Sequence, residues 1–230
     1  MNLLPRIAVA ALLAAGVAIA HAQARPGTAE RLGDAVVLRG NIDAPLARRV
    51  VQLLRDPDAV RLIVTSGGGA VDATLDIAEA VHANFKNVEV PVACLGTCAS
   101  YIFPAGRHKL LGRVGVVGWR GNMAYVLHQH RTGQARLPDA QLREVRLLAQ
   151  REAGFYARIG VDGFVAWFAK LPPYSVEEYY SLSLDEMEGF GIRNLRVQET
   201  ESPLTGGLVQ QVQVDWAHLE ALRPRWAPDP

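Results

Sequence analysis

Ser66 and the three glycines that follow it, residues 67–69, could bind negative charge. They come directly after residues 61–65, an apolar, β-branched run typical of a buried parallel strand. Glycine permits a sharp turn into a following helix, where unpaired N–H groups carry partial positive charge. Such groups stabilise charge on a carbonyl oxygen. We therefore interpret this segment, the first turn, as an oxyanion-binding turn with Gly68 and Gly69 as donors; alternatively, the glycines only permit the bend.

A second tight turn is predicted at Gly96, between a strand at residues 88–93 and an apolar helix that ends at residues 105–106. Cys94 and Cys98 flank this glycine, four positions apart. They can form a disulfide only if the chain turns between them, which Gly96 allows. A disulfide is preferred over free thiols. A metal site would need further ligands, and none lies nearby in sequence except His108, so no metal is expected.

The order of apolar segments predicts an α/β domain. Strands are predicted at residues 35–39, 61–65, 88–93 and 114–117, with helices at residues 43–54, from residue 70 and after Gly96. Alternating strands and helices imply right-handed parallel crossovers in a layered fold.

The chain becomes mainly helical from Pro138 onward. Asp139 is expected to cap a long amphipathic helix, whose apolar face carries Leu142, Val145, Leu148 and Phe155. Further helices are predicted at residues 161–170 and 175–180, and Asp185 is expected to cap a helix at residues 186–189. A strand is predicted at residues 192–197. Residues 202–230 are rich in proline and are predicted to form a loosely attached tail.

The N-terminal segment predicts export from the cytoplasm. Arg6 precedes an apolar run at residues 7–20, and two Ala-x-Ala sites end at Ala22 and Ala24. A basic start, a short apolar stretch and small residues at the exit are typical of a cleaved signal peptide at residues 1–24. No later stretch is long and apolar enough to span a membrane. The mature protein is therefore expected in the periplasm or outside the cell.

Composition limits the partners. The formal net charge is +1, and the chain has three lysines. No basic patch with interleaved aromatic residues occurs, so nucleic acid is not an expected partner. No cofactor is expected.

The two glycine turns together resemble the Clp protease proteolytic subunit and the signal peptide peptidase A group, within the crotonase-like superfamily. Residues 66–71 are similar to the Ser-Pro-Gly-Gly-Ser-Val segment of that family. Residues 96–106 are similar to its second turn, and residues 186–192 to its late Glu-Ala-x-x-x-Gly-Leu segment. The likeness extends over residues 35–197 and is greatest to exported proteins of this fold with a Cys-rich second turn. It implies a layered fold of repeated β-β-α and βαβ units with a helical C-terminal part, as one domain over residues 25–199 followed by a tail at residues 200–230.

The resemblance also implies a nucleophile at the start of the second helix. Family spacing places it at Thr97, whereas the local Ala-Ser dipeptide favours Ser100, and the N–H of Cys98 would complete the oxyanion site. A hydroxyl nucleophile needs a base. Arg120 stands at the position assigned to the histidine and cannot accept a proton. His128, eight residues later, is a weaker candidate for the base.

Three functions are compatible with the sequence. The first is a weak peptidase or acyl hydrolase. The second is a non-catalytic protein that binds a peptide C-terminus or small carboxylate, with Arg120 as the fixed cation; a surface ion pair is the simpler role for Arg120. The third is a homo-oligomer subunit joined through the helices after Pro138, whose apolar face could equally pack on its own sheet.

Overall fold

The computed structural model describes residues 26–198 and 209–226. The predicted signal peptide lies outside these residues. In chain order the elements are β1 (Thr28–Leu32), β2 (Ala35–Arg39), α1 (Ala44–Leu54), β3 (Arg61–Thr65), α2 (Val71–Ala83), β4 (Asn87–Val90), β5 (Ala93–Leu95), α3 (π-helical at Cys98–Ile102, then Phe103–Ala105), β6 (Lys109–Leu111), β7 (Val116–Gly118), α4 (Met123–Arg131), α5 (Asp139–Ile159), two 3-10 turns (Gly163–Ala166 and Phe168–Lys170), β8 (Tyr179–Ser181), α6 (Leu184–Gly189), β9 (Leu195–Val197), β10 (Val209–Gln211) and α7 (Trp216–Trp226).

A six-stranded mixed sheet forms the centre of the α/β fold, in the order β1-β2-β3-β4-β6-β9. The edge strand β1 is antiparallel to β2, and the other pairs are parallel. The predicted strand at residues 61–65 is confirmed as β3, where Leu62 and Val64 are fully buried. Asp43 caps α1 by accepting a hydrogen bond from the Leu46 N–H, as its position at the helix start predicts.

Two further sheets of two strands each accompany the six-stranded sheet. Strand β5 pairs in parallel with β7, and β8 pairs in parallel with β10. Single bridges join Ser66 to Cys94 and Trp119 to Tyr180. Because the first turn leaves β3 and the second leaves β5, the Ser66–Cys94 bridge fixes them side by side.

Several predicted elements differ from the structure. The strand predicted at residues 88–93 is two strands in different sheets, because Pro91 has no N–H to continue the ladder. The helix predicted at residues 175–180 is wrong, since its end is β8. Ser183, not Asp185, caps α6, and it forms a capping box with Glu186.

The C-terminal segment packs on the domain where a loosely attached tail was predicted. Strand β10 adds to β8, and Leu219 of α7 is fully buried. Glu186 accepts a hydrogen bond from the Val214 N–H at 2.6 Å, and the Trp216 ring contacts the Phe190 ring. Residues 209–222 therefore contribute to the fold.

Helix α5 is confirmed as a long helix, but Asp139 is its first residue and does not cap it, since Pro138 occupies the N-cap position. Only the C-terminal half of α5 enters the core. Phe155 is buried, whereas Leu142, Val145 and Leu148 are partly exposed. Within the described ranges, no helix is both long and apolar enough to cross a lipid bilayer.

Candidate functional site

The first turn is held tightly against the segment that precedes α1. The Ile42 N–H donates to the Gly68 carbonyl at 3.0 Å, and the Ala70 N–H donates to the Ile42 carbonyl at 2.9 Å. Gly68 has a φ of +92°, a left-handed conformation that favours glycine. A β-carbon on Gly69 would lie 1.9 Å from the Ile42 carbonyl oxygen. At these two positions glycine is required by the backbone geometry.

The two N–H groups of the first turn that are predicted to bind an oxyanion are bonded to hydroxyls of the chain itself. The Gly68 N–H donates to Ser66 Oγ at 2.9 Å, and Ser66 Oγ in turn donates to the Gly40 carbonyl at 2.7 Å. The Gly69 N–H donates to Thr97 Oγ1 at 2.9 Å. The first turn is therefore near the predicted nucleophile, but its donors already have partners.

The Thr97 hydroxyl joins the second turn to the first turn and to α2. Its Oγ1 lies 3.1 Å from Thr74 Oγ1 and 3.3 Å from the Gly69 carbonyl oxygen. Thr74 is fully buried, and its hydroxyl donates to the Ala70 carbonyl at 2.8 Å. This arrangement uses the Thr97 hydroxyl as a structural link between the two turns.

Replacing Thr97 with valine is expected to lower the free energy of unfolding by about 1–2 kcal/mol, because the Gly69 N–H and the Thr74 hydroxyl lose a hydrogen-bond partner. Urea denaturation of the purified protein measures this. Thr97→Ser keeps the hydroxyl and is the matched control, with an expected loss below half of that. Equal stability of Thr97→Val and the parent chain would show that the link is not formed in solution.

The predicted disulfide between Cys94 and Cys98 is present in the structure. It closes the second turn around Gly96, which has a φ of +57°. The N–H of Cys98 is at the start of α3, where helix geometry leaves such groups without an intrahelical acceptor. The disulfide therefore fixes the direction in which α3 leaves β5.

Ser100 lies below the surface. It is 1% exposed, and its hydroxyl donates to the Gly121 carbonyl at 3.5 Å. The Tyr156 hydroxyl donates to the Ser100 carbonyl at 2.8 Å. A nucleophile has to reach the substrate, and this side chain is enclosed by protein.

His128 of α4 is buried in an aromatic cluster. Its ring centroid lies 5.4 Å from that of Trp167 and 6.3 Å from that of Tyr125. Burial is the main cause that lowers its pKa, and Arg131 adds to the effect. The hydrogen-bond partners of the Thr97 hydroxyl in the described chain are Gly69 and Thr74. The structure therefore does not place His128 in hydrogen-bond contact with this nucleophile candidate.

Arg120 is exposed beside the second turn. Its guanidinium carbon lies 5.5 Å from the centroid of the Tyr179 ring, and Nη2 lies 3.7 Å from Glu178 Oε2. A β-carbon on Gly96 would lie 3.8 Å from Cε1 of the same tyrosine. Tyr179 thus connects the second turn to a solvent-accessible cation.

A buried carboxylate behind the site was not predicted. Glu152 Oε1 accepts hydrogen bonds from the Tyr101 hydroxyl and the Met123 N–H, and Oε2 accepts one from the Ala124 N–H. Burial raises its pKa to about 7, against the opposing effect of these hydrogen bonds. Glu152 lies three residues before Phe155 on α5, so an acidic residue on the apolar face of the helix was the available signal.

Comparison with known proteins adds no assignment. No family model matches the chain, and no curated protein matches it. Among the described residues, no group of three or more His, Cys, Asp or Glu side chains could hold a metal ion.

Proposed function

We propose that this chain is an exported, non-catalytic binding protein of the Clp-protease-like fold, and that it recognises a peptide C-terminus or a small carboxylate beside its two glycine turns. The observation that carries the proposal is the Gly69 N–H bonded to Thr97 Oγ1 at 2.9 Å. The candidate nucleophile and a candidate oxyanion donor satisfy each other. Hydrolysis would require both groups to be released and a base to be supplied.

Arg120 supplies the positive charge for this function. Its ion pair with Glu178 is long, at 3.7 Å, and both side chains are more than half exposed, so the pair contributes little stability. A ligand carboxylate can take two parallel hydrogen bonds from a guanidinium, which are stronger than a single exposed contact. The Tyr179 ring beneath the guanidinium limits its orientations and favours one binding geometry.

Export is part of the proposal. The predicted signal peptide supports it from the sequence, and the Cys94–Cys98 disulfide supports it from the structure, because disulfides persist in oxidising compartments.

Replacing Arg120 with alanine is expected to weaken binding of a short peptide with a free C-terminus about tenfold or more, because a charge-assisted bidentate contact is lost. Isothermal titration calorimetry measures this with a tripeptide and its C-terminally amidated form. The amidated peptide should bind weakly to the parent chain.

Arg158→Ala is the matched control, because Arg158 is equally exposed and is also paired with a glutamate, Glu79, at the far end of α2. It should leave peptide affinity unchanged. Equal affinity for free and amidated peptides, or no effect of Arg120→Ala, would contradict the proposal. Covalent labelling of Thr97 or Ser100 by a fluorophosphonate probe would favour the hydrolase alternative.

A further inference from the structure

A cavity of about 320 Å³ opens at the end of the six-stranded sheet that is opposite to the glycine turns. The parallel strands β4, β6 and β9 begin at this end of the sheet, whereas the first turn follows the end of β3. Helix α2 runs from the first turn to the cavity, and its 13 residues place the two sites on the order of 20 Å apart. We call this space the basal cavity.

We propose that the basal cavity binds a small organic anion that has a carboxylate or phosphate group attached to an aromatic body. Its lining includes three basic side chains, Arg107, Lys109 and Arg193, and the titratable His82, but no aspartate or glutamate. A cavity of this size is at the lower end of those that hold small molecules.

Lys109 is the buried cation of the cavity. The residue is 5% exposed, and its ammonium group donates to the carbonyls of Gly106 and Arg193, both at 2.8 Å. An ammonium group has three N–H donors, so one remains for a ligand. Burial lowers its pKa to about 8, and an anion in the cavity would stabilise the charged form.

The basic side chains of the cavity carry more positive charge than is needed to balance the partial negative charge of the helix C-termini there. Helices α2, α3 and α5 end at the cavity, and a helix C-terminus carries about half a negative charge. Lys109 already bonds the Gly106 carbonyl at the end of α3. In the described part of the chain, no hydrogen bond or ion pair engages the guanidinium groups of Arg107 and Arg193, and both residues are exposed. Their charge is therefore available to a ligand.

Phe85 provides an aromatic surface at the cavity. It follows the end of α2 with a φ of +53°, and the Lys86 N–H donates back to the Val81 carbonyl at 3.0 Å. Glycine is favoured at this position of a helix C-terminus, and a phenylalanine there is strained. Burial does not compensate, because the side chain is 72% exposed. Stacking of the ring on the aromatic body of a ligand explains why a phenylalanine stands at this position.

Nuclear magnetic resonance titration of the mature chain tests the proposal. The probes are phenyl phosphate, benzoate, inorganic phosphate and the neutral benzamide. Phenyl phosphate and benzoate should give saturable amide shifts at residues 82–86, 105–109 and 191–194. Inorganic phosphate should bind at the same residues more weakly, and benzamide should give no saturable shift.

Two variants separate the contributions of charge and ring. The double variant Arg107→Ala/Arg193→Ala should weaken binding of both phosphates at least about tenfold. Phe85→Gly should weaken phenyl phosphate about fivefold and leave inorganic phosphate unchanged, with a Tm equal to or above that of the parent chain. Arg39→Ala, at the opposite end of the six-stranded sheet, is the control and should leave the affinity for every probe unchanged.

Absence of saturable shifts, equal binding of benzamide, or unchanged affinity in the double arginine variant would overturn the proposal. If Phe85→Gly weakened the binding of phenyl phosphate while the double arginine variant did not, the site would be apolar, and this result would also overturn the proposal. Arg120→Ala should not affect these shifts, so the outcome is independent of the function proposed at the glycine turns.

Discussion

Replacing Glu152 with alanine is expected to lower the free energy of unfolding by about 4 kcal/mol, because several buried groups lose their acceptor together. The carboxylate accepts from the Tyr101 hydroxyl and from the N–H groups of Met123 and Ala124 at the start of α4. The residue is also only 1% exposed, so its removal leaves a cavity. Urea denaturation at pH 7.5 measures the change. A loss below about 1 kcal/mol would show that these groups find other partners.

Glu152→Gln is the matched control, because it keeps the shape and one acceptor oxygen but cannot ionise. Its loss of stability should be less than half that of the alanine variant.

Comparison of the parent chain with Glu152→Gln also tests the raised pKa of about 7 of the Glu152 carboxyl. A folded state that holds the proton more tightly loses stability as pH rises from about 4.5 to 7, here by about 3 kcal/mol. Subtracting the curve of Glu152→Gln removes the other titrating groups. A parent-minus-variant difference that stays flat over this range would contradict the raised pKa.

Replacing Gly69 with alanine is expected to destabilise the protein by about 3 kcal/mol or to prevent folding. The new β-carbon would lie 1.9 Å from the carbonyl oxygen of Ile42 and 2.7 Å from its carbon and nitrogen. These are backbone atoms held by hydrogen bonds to Gly68 and Ala70, so they cannot move without breaking the contact between the two segments. Circular dichroism and urea denaturation of the purified variant measure the effect.

Gly67→Ala is a close control two positions away. Gly67 is exposed, and a β-carbon at this position would meet no atom within 4 Å beyond its chain neighbours. The same chemical change should therefore alter the free energy of unfolding by less than about 1 kcal/mol. Similar losses for both variants would mean that the first turn is not clamped at Gly69 in particular.

Local patterns predicted the frame of the site correctly. The β-branched run of residues 61–65 is β3, in which Leu62 and Val64 are buried and the alternate side chains are partly exposed. The spacing of Cys94 and Cys98 around Gly96 predicted the disulfide. In both cases the information lies within a few consecutive residues.

The hydrogen-bond partners of the site residues could not be predicted from their neighbours in the sequence. One partner of Thr97 Oγ1 is the N–H of Gly69, 28 residues earlier, and the partners of Glu152 come from two other places in the chain, Tyr101 and the start of α4. Such contacts depend on how helices cross the sheet. Strand β8 was missed for a related reason: it forms through pairing with β10, 30 residues later.

The burial of Cys94 and Cys98 determines when their bond can form. Both residues have no solvent exposure in the folded chain, so an oxidant reaches the thiols only before the second turn closes or during local opening. Chain made in a reducing cytoplasm would therefore keep two buried thiols after purification, even in air. Recombinant protein should be directed to an oxidising compartment, or refolded with a glutathione redox pair, and titration of free thiols under denaturing conditions distinguishes the two kinds of preparation.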